Sequence, residues 1–421
     1  MNDNGAVAFL VKAGAQLQVC SQVERDGTLY IPPPKDQIPW VLPRGEEVLR
    51  HYQADTDSAL YDDLLIYHKG ISELPHEEDY DLLAAWDFHT YLLEQFQYTP
   101  ILWLFAVPER GKSRSGKGII YVAYRGVYDQ SLREANFLRL ASHHQASVFF
   151  DITHLWKKVQ QNQSEDVLLH RFERGGIVSR VLFPDRGPFR DTVRFTVFGA
   201  TVIATNHGVP EVLQTRALQL NMPDSATPFD TEPTPEAALP LKERLVAFRA
   251  RHLGIPLPPI PKPAARRLGD LLKPLHQIIR LVRPDREAAF LRLVKSLEEE
   301  RLTEKADSHD AHVLEAILGL SEAVSKGFLA VKKITEAYNA GRPEREHVST
   351  NTMGWRLKAM GFKKDKTRDG AVIVWDTSQL ERLGLTYGVQ GPSITPDTSD
   401  THPDEREGTH KNPLEEHEGP V

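Results

Sequence analysis

At 421 residues the chain is long enough for about three domains, and its single cysteine, Cys20, excludes an internal disulfide framework and a multi-cysteine zinc site, as suits a reducing cytosol. No apolar run approaches the roughly 20 residues of a membrane span and the N-terminus lacks a signal-peptide pattern, so a cytoplasmic protein without a membrane partner is expected. The net charge of −7 hides a partition: residues 1–100 hold 6 Lys/Arg against 17 Asp/Glu, residues 391–421 hold 2 against 8, and residues 101–390 hold 43 against 33, an anion-binding middle between solvating ends.

Residues 1–35 show no clear period and include Ile31-Pro-Pro-Pro34, which reads as an extended arm. From about Gly45 to Phe96 helical periodicity takes over, with Leu64, Leu65, Leu82, Leu83, Trp86, Tyr91, Leu92 and Phe96 as buried candidates. Residues 1–98 are thus an arm and a helical lead-in. The run Ile101-Leu-Trp-Leu-Phe-Ala-Val107 then meets a Pro/Gly/Lys/Ser turn, after which an amphipathic segment resumes. This is the strand, loop and helix order of a phosphate-binding site, in which backbone N–H groups and a lysine hold the anion.

The loop has two registers for G-x-x-x-x-G-K-[ST]. Gly111-Lys-Ser-Arg-Ser-Gly116-Lys117-Gly118 keeps both glycines but places Gly118 where a metal-binding hydroxyl belongs. Ala106-Val-Pro-Glu109-Arg110-Gly111-Lys112-Ser113 loses the first glycine but keeps the Gly-Lys-Ser core directly after the strand, and is preferred. In it Glu109, Arg110, Gly111, Lys112, Ser113 and Arg114 surround the nucleotide, Lys112 serves the phosphates and Ser113 the metal, which implies ATP and Mg²⁺.

Residues 99–222 alternate strands (Ile101–Val107, Ser147–Asp151, Val178–Leu182, Val193–Phe198, Thr201–Thr205) with helices (Ser131–Ser142, Ser164–Arg174), an α/β core with a largely parallel sheet. Asp151, at the end of an apolar strand, is the expected metal-orienting carboxylate. The position where a catalytic glutamate would follow is Ile152; His154 stands nearby and could orient a water, though a surface histidine is the plainer reading. Asn206, at the tip of Thr201–Thr205, is placed to reach a γ-phosphate or its attacking water, or else is a turn asparagine in Asn-His-Gly. Arg216 could donate charge to a phosphate in its own or a neighbouring subunit.

Residues 223–324 form a proline-rich connector (Pro223–Pro263, interrupted by a helical piece at Leu241–His252) and a helical region. In 325–388, Phe328–Asn339 reads as a helix and Val348–Phe362 as a second, N-capped by Ser349. Arg356 and Lys358 face outward there while Leu357 and Met360 pack. Lys363–Arg368 and Ala371–Trp375 make a basic hairpin around Asp369-Gly370. This order is that of a winged helix-turn-helix, whose wing, here Lys363, Lys364, Lys366 and Arg368, tracks phosphates; a protein-binding module of the same shape stays open. Residues 389–421 are an acidic, apolar-poor tail expected to be disordered.

The order loop, Asp151 strand, Leu168-Leu-His-Arg-Phe-Glu-Arg174-Gly-Gly-Ile-Val-Ser-Arg180, Val193–Phe198, Ile203-Ala-Thr-Asn206 and Leu213-Gln-Thr-Arg216 resembles the helicase-like ATPases of phages, plasmids and integrated elements, related to superfamily 3 helicases and the AAA+ class. The resemblance reaches from Leu82–Leu92 to Arg267-Leu-Gly-Asp-Leu-Leu-Lys-Pro-Leu275, about two-thirds of the chain. It implies that Lys112, Ser113, Asp151, Asn206 and Arg216 are nucleotide-site residues, that Arg174 and Arg180 belong to a basic channel or subunit interface, and that the chain forms a ring, such as a hexamer, working on single- or double-stranded DNA beside a primase or other replication partner. Ala106 and Ile152 depart from the family pattern. The expectation is therefore a helicase-like DNA motor; the alternative is a DNA-binding initiator or regulator that binds nucleotide and hydrolyses it slowly or not at all.

Overall fold

Five short runs form one parallel sheet in the computed structural model, which describes residues 1–225, 227–368 and 370–389. Beyond Val389 the expected acidic tail lies outside the described residues, as does Asp369 of the expected hairpin turn. In chain order the elements that frame the sheet are α1 (Gly45–Ala54), α2 (Asp57–Lys69), α3 (Glu78–Thr90), β1 (Ile101–Phe105), α4 (Lys112–Val122), β2 (Val127–Tyr128), β3 (Val148–Asp151), β4 (Thr201–Thr205) and β5 (Ala217–Asn221). The strand order is β5-β1-β4-β3-β2, with every neighbouring pair parallel. All of β4 and all but the last residue of β1 are buried. That is why these strands read as continuous apolar runs: a parallel sheet is covered on both faces.

Thr201–Thr205 agrees with expectation to the residue, whereas two other expected sheet strands do not join the sheet. Ile177–Val181 and Thr192–Thr196 pair with each other as an antiparallel ribbon. Only alternate side chains along them are covered, the pattern of a two-stranded arm with one solvated side. In their place the sheet uses Val127–Tyr128 and Ala217–Asn221. The second was hidden because Gln219 and Asn221 interrupt its apolar run. The expected helix 131–142 is a short helix, Glu134–Leu138, running into a π-helical turn at Arg139–His143. The expected helix 164–174 spans only Glu165–His170, and Leu155–Gln161 adds a helix that was not anticipated.

The extended arm expected over residues 1–35 is instead three antiparallel ribbons: Asn2–Asp3 with Ala6–Val7, Phe9–Ala13 with Gln16–Cys20, and Val23–Arg25 with Thr28–Tyr30. Asn4-Gly5 and Asp26-Gly27 make two-residue turns with positive φ at both positions, the geometry that fits the right-handed twist of a hairpin.

The lead-in helices form as expected, with Leu65 half-buried and the other named candidates buried. α2 is capped by Thr56, whose hydroxyl accepts from the Ala59 N–H. Pro235–His252 is one helix, starting six residues before the expected Leu241 because Thr234 caps it and Pro235 takes the first turn, where a missing N–H costs nothing. It packs on α1, α2 and α4 rather than acting as a spacer. Arg244 pairs with Asp55 at 2.7 Å, Arg251 with Asp57 at 2.5 Å, and the buried Glu243 with Arg44 at 2.7 Å. Arg266–Val282 lies against α3.

Contacts divide the chain into two units, Met1–Glu299 and Glu300–Val421, the break falling within the helix Glu287–Ala306. In the second unit Phe328–Ala330 is a strand and the helix expected from Phe328 begins only at Val331. The strand pairs with Val372–Val374, which draws Phe328 out of helical geometry. Ser349 caps Thr350–Ala359, accepting from the Thr352 N–H. Lys364–Thr367 and Gly370–Val374 form the expected hairpin, and Thr377–Tyr387 closes the unit.

Candidate functional site

The strands β1, β4 and β3 end nearly level, Thr205 beside Phe105 and Ala204 beside Asp151. Three loops therefore leave one carboxyl edge side by side, the usual place for a ligand in an open parallel sheet. The loop after β1 reverses through two residues with positive φ, Glu109 (66°) and Gly111 (76°), and α4 begins at Lys112. The first helical bond within this turn is Ser115 N–H to the Gly111 carbonyl at 2.9 Å. The preceding N–H groups are left for an outside acceptor, the arrangement that binds anions. A Cβ added at Gly111 would meet nothing within 4 Å, so the loop is open above.

The two registers fall on different parts of this geometry. Gly116, Lys117 and Gly118 lie inside α4 and form no loop. A Cβ at Gly116 would enter the Phe149 ring, and one at Gly118 would press on Ile71, so these glycines serve close packing. Lys117 sits with its ammonium 6.0 Å from the Tyr128 ring centre.

Lys112 is buried and donates to the Val107 carbonyl at 2.8 Å. Burial lowers its pKa, and the opposing pull comes from Asp151, whose carboxylate is near enough to favour the ammonium. Ile152 is 3% exposed and its N–H bonds the Ala204 carbonyl at 3.1 Å. The side chain after Asp151 thus belongs to the core. The rings of His154 and His207 stack with centres 4.2 Å apart, joining the loop after β3 to the loop after β4 that carries Asn206. The Thr205 hydroxyl donates to the Thr153 carbonyl at 2.8 Å and links the same loops. Among the described residues no group of three or more His, Cys, Asp or Glu forms a metal cage. Mg²⁺ is commonly held by one or two protein oxygens and completed by phosphate and water, and Ser113, at the start of α4, and Asp151, at the end of β3, are the oxygen-bearing side chains that could hold such an ion.

Other expected site residues are held elsewhere. Arg110 pairs with Asp224 at 3.2 Å. Arg114 bonds the Ile71 carbonyl at 2.7 Å, Glu232 at 3.2 Å and the Thr231 carbonyl, and lies over the Phe229 ring, tying segment 229–232 to α4. Arg216 precedes β5, and its carbonyl accepts from the Ile101 N–H at the amino end of β1. A strand of five residues at roughly 3.3 Å each puts it about 16 Å from the loop edge. It therefore does not reach its own chain's loop. Its guanidinium lies 4.8 Å from the Phe172 ring centre and bonds the Val212 carbonyl, and burial, with Arg267 nearby, lowers its pKa.

Arg174 is bonded to the carbonyls of Phe96 (2.8 Å) and Leu93. Arg180 is paired with Glu134 and Asp166. Neither guanidinium is without a protein partner, unlike a ready phosphate contact. The same ribbon carries Arg186, stacked 3.9 Å from the Phe183 ring centre, and Phe189, 99% exposed at its tip. In the second unit Arg356 pairs with Asp310 at 3.0 Å, and Lys364 donates to the Gly354 carbonyl at 2.8 Å. Lys363, Lys366 and Arg368 are exposed. Lys358 lies 5.8 Å from the ring centre of Trp355, itself 73% exposed.

Sequence reasoning missed His207, the exposed Phe189 and Trp355, and the fully buried Arg171. Of these only Trp355, in a helix with basic neighbours, carried a readable signal.

No family model and no curated protein matches the chain. Among solved structures, similarity is found to the apo C-terminal region of NrS-1 (12% identity, TM-score 0.37, 84% of this chain and 82% of that one) and to the SCCmec type IV Cch active helicase (13%, 0.37, 86% and 77%). An inhibitor-bound JCV helicase is a further match (15%, 0.26, 65% and 76%). Likeness at these values carries no weight for the site or its chemistry.

Proposed function

We propose that the chain is an ATP-dependent, helicase-like DNA motor of a phage, plasmid or integrated-element replication system. The observation that supports this most is the meeting of Lys112, Ser113, Asp151 and Asn206 at the carboxyl edge of three adjacent parallel strands, beneath an open loop and a helix N-terminus. Bound ATP–Mg²⁺ would supply the phosphoryl group and the neutralising charge. Lys112 and the α4 N–H groups hold the phosphates, Ser113 and Asp151 hold the metal, and Asn206 with the His154–His207 pair positions a water. The motif order from Gly111 to Arg216 points to the replication setting, to a cytoplasmic ring such as a hexamer, and to a primase or related partner. Arg216, at the far end of the sheet, supports a ring in which it serves the neighbour's nucleotide. The aromatic and basic ribbon 177–196 and the winged-helix-like hairpin at 363–374 are the DNA-contacting surfaces.

ATP turnover with and without single-stranded DNA tests this. Lys112→Ala lowers turnover by about a hundred-fold or more while DNA binding persists, and Lys117→Ala stays within about two-fold of wild type. Unchanged turnover in Lys112→Ala sinks the assignment. Mixing Lys112→Ala with Arg216→Ala subunits restores activity if Arg216 acts across the interface, and does not if both act within one chain.

The buried Ile152 favours a second reading, a DNA-binding initiator or regulator that binds ATP and scarcely hydrolyses it. Stoichiometric ATP binding without DNA-stimulated turnover identifies that case.

A further inference from the structure

A cavity of about 400 Å³ lies between the N-terminal ribbons and the helix Pro235–His252, all within the first unit. Its wall is mostly apolar, with Phe9, Leu10, Trp40, Leu42, Tyr124 and Val246 among the lining residues, and no Asp or Glu belongs to it. Into this wall the helix brings Lys242, 4% exposed and with no hydrogen-bond or ion-pair partner among the described residues. Burial lowers its pKa to about 8, with no carboxylate to oppose it. The ammonium is still charged at neutral pH.

A second cation stands at the same cavity. Arg125, with φ of 50°, lies 5.7 Å from the Trp40 ring centre and 5.0 Å from that of Tyr124, and donates to the His144 carbonyl at 2.9 Å. It too has no acidic partner among the described residues. Lys12, bonded to the Arg251 and Leu253 carbonyls at 3.3 and 3.5 Å, and Arg249, paired with Glu94 at 2.7 Å, also line the cavity.

An unpaired ammonium held out of water costs several kcal/mol, and packing alone gains nothing from retaining it over a methionine. A ligand that brings a negative charge and an apolar body removes that cost and fills the space. Taking roughly 30 Å³ per non-hydrogen atom, the cavity admits about a dozen such atoms. We infer that this cavity is a binding site for a small amphipathic carboxylate, its carboxylate against Lys242 with Arg125 close by and its hydrocarbon or aromatic body among Trp40, Leu42 and Val246. The apolar lining favours one charged end on a hydrophobic body over a nucleotide or a free phosphate, which need donors all round.

Calorimetric titration of the full chain with decanoate and with neutral 1-decanol tests the inference. Wild type binds decanoate at a single site and decanol about ten-fold more weakly or worse, the worth of one charge-assisted bond. Lys242→Met removes the preference and leaves the melting temperature unchanged or higher. Val246→Trp, which fills the space, weakens both ligands. Lys112→Ala leaves decanoate binding intact, which separates this site from the nucleotide site. Equal affinity for the two ligands, decanoate binding unaltered by Lys242→Met, or binding only where decanoate self-associates overturns it.

Discussion

At the scale of single residues, the clearest case is Gly116. Only the register set aside in the sequence used it as a phosphate-loop glycine; a Cβ there would enter the Phe149 ring, so its smallness lets α4 approach β3. Gly116→Ala is expected to destabilise the chain by about 1–3 kcal/mol in a denaturant titration, whereas a loop glycine would have affected nucleotide affinity alone. His154 and His207 make the opposite point. Fifty-three positions apart in sequence, their rings meet only because β3 and β4 are neighbours. His154→Ala and His207→Ala each lower kcat with little change in nucleotide affinity if the pair positions water, measured as kcat and Kd separately. His89 is buried, neither ring nitrogen has a hydrogen-bond partner among the described residues, and burial lowers its pKa to about 3. Because the unfolded chain takes up that proton near pH 6.5, the stability this neutral histidine contributes is present above about pH 6.5 and falls by up to about 1.4 kcal/mol per unit as pH drops toward 3. The buried Asp87, whose pKa burial raises, shifts stability the other way. The test is therefore a difference: His89→Leu flattens the acid limb of stability between pH 6 and 4 relative to wild type.

At the scale of elements, strands with two covered faces were legible and strands with one or none were less so. Ile101–Phe105 and Thr201–Thr205 announce themselves as apolar runs, while Ala217–Asn221 hides behind its amides. The N-terminal ribbons were readable from Asn4-Gly5 and Asp26-Gly27, but short flanking runs of mixed polarity masked them. Arg171 shows how much an element can depend on one buried group. Its guanidinium donates to the Thr201 hydroxyl (2.7 Å) and to the carbonyls of Ala146 and Ala200 (both 2.8 Å) and Val197 (3.2 Å), holding the amino ends of β3 and β4 together without any carboxylate. Arg171→Met removes the guanidinium donor from the Ala146 and Val197 carbonyls, while the Ala200 carbonyl keeps the Val148 N–H at 3.1 Å, and is expected to cost about 3 kcal/mol or more, seen as a lowered melting temperature.

At the scale of the whole molecule, the charge partition becomes specific. All four hairpin cations are exposed, but Lys364 is engaged with the Gly354 carbonyl, which sets Lys363, Lys366 and Arg368 apart from it. Replacing these three with glutamine is expected to weaken DNA binding and to reduce the salt slope of log K by about 2–3, while ATP turnover without DNA is unchanged. An unaltered slope assigns the hairpin to protein contacts. Sequence alone determined what local pattern encodes: an α/β core, a strand–loop–helix at 101–122, the Ser349 cap and a basic hairpin near the end. These follow from periodicity, turn chemistry and capping, which neighbours in the chain decide among themselves. Only the tertiary structure decided that Gly116 and Gly118 serve close packing, that Arg216 stands at the far end of the sheet from its own loop, and that Lys242 is buried against an apolar cavity. Each depends on strand order and on side chains far apart in sequence, and burial and neighbouring charge act through space.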